Sequence, residues 1–261
     1  MKRSIFSLAA TLSLVGGSHA AILVDNFESY SPLFGDMNGN GSWIVSNGIP
    51  AIPAEGPVVI LDAYTWDASA QSATVGGVQS TLGGVTSMYN SSFGVPLVSV
   101  TPQPTYFEIE TAYTESTVGQ RNNFSFVLNA TSGNLLTLTF TPSGGPTQYD
   151  VSWSSAFATG ALIGSLSANT PTQFRLNTYA SGANVAYSLT NAGTPVSSGL
   201  LVGASASDVI NSFAVNWDSA SNGGLGNNSI TIDNISVVPE PSSALLGMLG
   251  ASFVFLRRRK A

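Results

Sequence analysis

Phe124-Ser125-Phe126-Val127-Leu128 and Leu135-Leu136-Thr137-Leu138-Thr139-Phe140 stand on either side of a connection containing Thr131-Ser132-Gly133-Asn134. In both flanks apolar residues recur at every second position, the period of a strand with one buried face, and the connection is built of turn formers. The unit reads as a β-hairpin. The same punctuation continues outward through Tyr106 to Tyr113, Tyr149 to Trp153, Phe174 to Tyr179, Val185 to Leu189, Phe213 to Trp217 and Ile230 to Val237. Clusters of Gly, Pro, Asn and Ser separate these stretches, and Ser181-Gly182-Ala183-Asn184 marks a second hairpin. Between the two chain ends no run of ten or more residues carries a 3.6-residue apolar stripe. Roughly a dozen short strands without a low-complexity linker or a repeat predict an all-β domain over residues 21–237, a single jelly-roll-like two-sheet sandwich.

The 261-residue chain is 43% hydrophobic and only 8% charged, with no cysteine and a net charge of −6. Disulfides are excluded. The basic residues sit at the ends, and between residues 22 and 238 only Arg121 and Arg175 face 13 acids, a net charge of −11. Such a body repels polyanions, so nucleic acid is not an expected partner. The same span contains no His, Cys or Lys. That removes Ser-His-Asp and Cys-His catalysis, imidazole or thiolate zinc sites, lysine Schiff bases and a phosphate-binding P-loop lysine. Carboxylate chemistry remains, as glycoside hydrolysis by an acid pair or as calcium binding.

The two ends read as addresses. Lys2-Arg3, an apolar run from Ile5 to Val15 and the small-residue exit to Ala20 form a signal peptide over residues 1–20. At the other end, residues 242–256 are apolar apart from Ser and Gly and run straight into Arg257-Arg258-Arg259-Lys260. A helix over this span rises about 22 Å against a hydrocarbon core of about 30 Å, a short transmembrane segment whose bases stay cytoplasmic. Just before it, Val238-Pro239-Glu240-Pro241 is a stiff, non-helical segment that a processing enzyme can grip at the membrane surface.

Pro-Glu-Pro, short apolar span, arginine cluster and chain end, in that order over residues 238–261, resemble the PEP-CTERM sorting signal of Gram-negative bacteria. The resemblance implies recognition of Val238, Pro239, Glu240, Pro241, Arg257, Arg258 and Arg259 by exosortase, a membrane protease. It also implies inner-membrane anchoring by the C-terminal helix, then the outer surface or extracellular matrix, in the company of exopolysaccharide or biofilm production. The body's ends, from Ile22 to Tyr30 and from Ile230 to Ile235, resemble the first and last strands of concanavalin- or laminin-G-like sandwiches, in which the terminal strands lie together. A galactose-binding type of jelly roll fits the same pattern. Carbohydrate-binding jelly rolls hold a structural calcium with a glutamate of the first strand and an aspartate of the last, which implies Glu28 and Asp233, with Asp25 beside them.

A second calcium candidate, Asp36-Met37-Asn38-Gly39-Asn40-Gly41-Ser42, carries half of a calcium-loop pattern, but Asn47 stands where the closing glutamate belongs, so it reads as a turn. Glu108 and Glu110 share one face of a predicted strand opposite Phe107, Ile109 and Tyr113, a spacing open to a glycosidase pair. They lack the Glu-x-Asp-x-x-Glu pattern of concanavalin-like glycosidases and read as the solvated side of the strand, near Arg121. Trp153 and Trp217 fall at strand spacing with Val151 and Val215 and belong to the core, which leaves Trp43 and Trp66 as stacking platforms for a sugar ring. The expectation is an exported, exosortase-sorted, non-enzymatic structural or adhesive β-sandwich. The alternatives are a carbohydrate-binding module for the producer's exopolysaccharide and, behind it, a carboxylate glycosidase.

Overall fold

A computed structural model describes residues 104–239 apart from 117–119, 144–146 and 219–225. Ahead of them it describes residues 23–25, 34–36, 43–46, 64–67, 72–76, 85–91 and 94–98. The described residues form seventeen strands. The first seven are β1 (Leu23–Asp25), β2 (Phe34–Asp36), β3 (Trp43–Ser46), β4 (Tyr64–Asp67), β5 (Ser72–Gly76), β6 (Val85–Asn90) and β7 (Val95–Pro96). Then come β8 (Thr105–Thr114), β9 (Asn123–Ala130), β10 (Gly133–Pro142), β11 (Gln148–Ser154) and β12 (Ala161–Ser167). The last five are β13 (Thr172–Ser181), β14 (Asn184–Asn191), β15 (Thr194–Leu201), β16 (Val209–Asp218) and β17 (Ser229–Pro239). They build two antiparallel sheets. The larger runs β15-β14-β13-β8-β17-β5-β4-β2 with β1 also on β17, and the smaller runs β12-β11-β10-β9-β16-β6-β3 with β7 also on β16.

Both expected hairpins are present. Ala130 pairs with Gly133 across the Thr131-Ser132 turn, so Phe126 meets Leu138 and Leu128 meets Leu136 on the inward face. Ser181 pairs with Asn184. A third hairpin joins Asn191 to Thr194 through Ala192 and Gly193, both at positive φ (47° and 77°). Two such residues in a two-residue connection make a type I′ turn, whose twist matches that of the strands it joins. The terminal strands lie together as expected, with Leu23 opposite Val237 and Asp25 opposite Ile235.

The two inner faces meet through aromatic rings. Phe213 of the smaller sheet lies 5.2 Å from Phe107 of the larger, and Phe140 lies 6.0 Å from Phe174, an edge contact between the sheets. Trp153 and Trp217 are in the core, 3% and 0% exposed. Trp43 corrects the sequence reading. Its Gly- and Asn-rich surroundings suggested a loop, yet it opens β3, pairs with Asn90 of β6 and is 0% exposed, edge-on to Phe213 at 6.2 Å. A ring enclosed on every side cannot stack on a sugar.

A buried polar knot ties the sheets together at the end opposite the exit of β17. The Tyr149 hydroxyl donates to the Asn122 carbonyl (2.8 Å) and accepts from Asn228 Nδ2. Asn228 Oδ1 in turn accepts the Asn122 N–H at 2.7 Å. Arg121 sits over the Tyr149 ring, 5.4 Å from its centroid, and donates to the Gln148 and Ser143 carbonyls. Burial pushes the Tyr149 hydroxyl well above the ordinary phenol range, against a smaller opposing pull from Arg121. Arg121 therefore caps this knot and does not neighbour Glu108 and Glu110, as the sequence had suggested.

Candidate functional site

Among the described residues, the outward face of the larger sheet gathers Tyr106, Glu108, Glu110, Arg175 and Asn177. In β8, Phe107 and Ile109 enter the core, 1% and 0% exposed, so the alternating Tyr106, Glu108 and Glu110 point away from it, half-buried. The register with β13 sets Asn177 opposite Tyr106, Arg175 opposite Glu108 and Gln173 opposite Glu110. Arg175 Nη1 lies 3.7 Å from Glu108 Oε2. Its Cζ lies 4.1 Å over the Tyr106 ring, and its Nε donates to Asn177 Oδ1 at 3.0 Å. With side chains 33% and 22% exposed, the ion pair contributes at most about 1 kcal/mol. Its effect is geometric: three neighbours hold one guanidinium in a fixed direction on an open sheet.

Beside this group, β17 carries a bulge. The register against β8 shifts between Asp233 and Ser236, and Asn234 adopts a left-handed φ of 48°, which asparagine tolerates better than most residues. The Asn234 N–H donates to Asp233 Oδ1 (2.6 Å), and its side-chain amide donates to Glu110 Oε2 (3.1 Å). Next to the bulge lies a pocket of about 260 Å³ bounded by Ser72, Glu110, Pro171, Thr231 and Asp233, among others. β5 pairs with residues 229–232 of β17 and β1 with 235–237 along the same side, so the bulge falls where one partner strand ends and the next begins.

The predicted site residues separate accordingly. Glu108 and Glu110 do share a face, but each holds its own partner, Arg175 and Asn234. Asp233 borders the pocket, and the pairing of Asp25 with Ile235 sets the Asp25 backbone two residues along the register from it. Glu28 lies outside the described residues. Among those described, no three of His, Cys, Asp and Glu gather into a metal-holding group. Trp66 lies in β4 opposite Ala73, with its ring outside the described part, and residues 37–42 of the half-matching loop are likewise outside it. The sequence did not reveal Tyr106, Asn177 or Asn234 as site residues. Arg175 stood out only as one of two bases in the body, because Glu108 and Tyr106 lie nearly seventy positions away and only the register brings them to it.

Val238 and Pro239 are the last residues of β17, opposite Tyr106 and Thr105 of β8. Glu240, Pro241, the apolar stretch 242–256, Arg257, Arg258 and Arg259 lie outside the described residues, as does the span 1–20. Among the described residues no helix is long and apolar enough to cross a membrane.

Comparison with known proteins completes this picture. No curated protein sequence matches the chain. Among solved structures, a sialidase superposes with a TM-score of 0.54 at 9% identity over 84% of this chain, which spans only 18% of the sialidase. The carbohydrate recognition domain of Emp47p gives 0.49 at 12% identity over 86% of this chain and 97% of its own. The CBM2 module of the evolved Dit of Lactobacillus casei BL23 phage J-1 gives 0.44 at 11% over 85% and 98%. At such identities the sialidase likeness speaks for the sandwich fold alone. Residues 237–260 match the PEP-CTERM protein-sorting motif, which marks the chain as a secreted protein with a membrane-anchoring tail that exosortase, a membrane protease, processes.

Proposed function

We propose that this protein is a non-enzymatic adhesive β-sandwich of the cell envelope or extracellular matrix, and that it holds a neutral polysaccharide on the outward face of its larger sheet. The observation that carries the reading is the fixed guanidinium of Arg175 between Tyr106, Glu108 and Asn177, next to the Glu110–Asp233 pocket. A sugar's hydroxyl rim is recognised by such forks of charged and amide groups held in place before the ligand arrives. The net charge of −11 on the body favours an uncharged polymer over an anionic one. The engagement of Glu108 and Glu110 with separate partners favours binding over turnover.

Affinity electrophoresis through gels containing neutral or anionic polysaccharides tests the proposal. Retardation by a neutral polymer that Arg175→Ala and Asn177→Ala both abolish supports it. Unaltered mobility in every polymer contradicts it. Release of reducing sugar that disappears in Glu108→Gln would favour the glycosidase reading instead. The producer's own exopolysaccharide is the first polymer to try. A structural calcium held by Asp25, Glu28 and Asp233 belongs to the same proposal. Calcium should then raise the melting temperature and a chelator lower it, and a melting temperature indifferent to both would remove the ion.

A further inference from the structure

The chain leaves the sandwich without a spacer. β17 keeps its pairing with β8 as far as Pro239, opposite Thr105, and the apolar stretch begins at residue 242. Three residue steps reach at most about 11 Å when fully extended. The headgroup layer on each side of a bilayer is itself roughly 5–8 Å thick. While the tail is inserted, the end of the sandwich that holds Pro239 therefore stands at the membrane surface.

The register shows which side chains share that end. Pro239 faces Thr105, and Thr105 faces Thr178 of β13. Tyr179 follows and pairs with Ala186 of β14, which pairs with Leu200 of β15. Tyr179, Leu200 and Val202 are 38%, 45% and 76% exposed, half of the large apolar side chains exposed among the described residues. Residues 176–207 include no Asp, Glu, Lys or Arg. The carboxylate that follows, Asp208, turns to its own loop. It accepts from the hydroxyls of Ser132 (2.5 Å) and Thr131 (3.3 Å) and from the Ser205 N–H (2.8 Å). The opposite end carries Glu115, Arg121, Asp150 and Asp218.

We infer that the end of the sandwich from which β17 emerges docks on the lipid bilayer through Tyr179, Leu200 and Val202 for as long as the tail anchors the chain. Among the described residues, this end turns a largely uncharged, partly apolar surface toward the lipid, with Asp208 held in its own loop and Glu115, Asp150 and Asp218 at the far end. A tyrosine beside aliphatic side chains suits the headgroup boundary. Three such side chains bind a bilayer weakly by themselves, but the tether supplies the local concentration that makes the contact persistent.

The inference rests on the reading of the tail as a membrane anchor, and one experiment separates the two. The chain has no cysteine, so Ala183→Cys, in the turn between β13 and β14, and Val85→Cys each accept a single environment-sensitive fluorophore on an exposed position, at the docking end and at the opposite end. The full-length protein is inserted into phosphatidylcholine vesicles containing a headgroup-nitroxide lipid, and flotation reports anchoring. Co-flotation with several-fold stronger quenching at position 183 than at 85, an excess that falls when Tyr179→Ser, Leu200→Ser and Val202→Ser are combined, is the expected result. Co-flotation with equal quenching, or with an excess that the triple replacement leaves unchanged, overturns the docking while the anchor stands. Failure to float overturns the anchor, and the docking with it.

Discussion

Trp43 and Tyr149 show how single side chains fix this sandwich. Trp43 fills the space under β3 and β6 against Phe213, so Trp43→Ala should lower stability by about 3–5 kcal/mol in denaturant unfolding. Its Gly-rich context hid this from the sequence, since only the pairing with β6 turns the ring inward. Tyr149 joins both sheets through Asn122 and Asn228. Tyr149→Phe removes both of these buried bonds, leaves the Asn122 carbonyl and Asn228 Nδ2 only their 3.2 Å bond to each other, and should cost about 1–3 kcal/mol near neutral pH. Because burial raises the Tyr149 hydroxyl, the folded chain keeps its proton where the unfolded chain, titrating near pH 10, has lost it. Its stabilisation is thus complete below about pH 10 and declines above that. Melting curves across the alkaline range should fall less steeply for Tyr149→Phe than for the parent, the remaining slope coming from Tyr113, which burial also raises.

Eight of the strands that pair on both sides and bury one face announced themselves in the sequence. β8, β9, β10, β11, β13, β14, β16 and β17 each carry an alternation of apolar and polar residues because one face meets the core and the other meets solvent. β12 and β15 lie at the edges of the two sheets, and most of their residues are exposed on both faces, so no alternation marked them. Polar pairing across the sheet was equally hidden, since Arg175 and Glu108 meet only once β13 lies against β8. The turn of the third hairpin offers a test at this scale. Ala192 has a left-handed φ of 47°, unfavourable for a residue whose side chain has no local hydrogen bond to offer. Ala192→Asn suits the type I′ turn better and should raise stability by about 0.5–1 kcal/mol in thermal unfolding, with no change in fold.

At the scale of the whole molecule, the body and the tail divide the work. The sandwich presents a polar face with one fixed guanidinium, and the tail carries the sorting motif. Position in the chain made the tail readable from sequence alone, because its motif, apolar span and basic end are contiguous. What it could not reveal is that the motif begins inside the central strand of the larger sheet, with Val238 and Pro239 still paired to β8. A protease needs an extended, accessible segment, so processing that leaves the sandwich intact must cut beyond Pro239. The most direct measurement is the intact mass of the protein from membrane and extracellular fractions of its native cells. The prediction is a released form that begins near Ala21, retains Pro239 and lacks residues 242–256. A chain with its full C terminus, confined to the membrane, would instead mean a stable anchor, contradict processing and release, and take from the matrix function its main support.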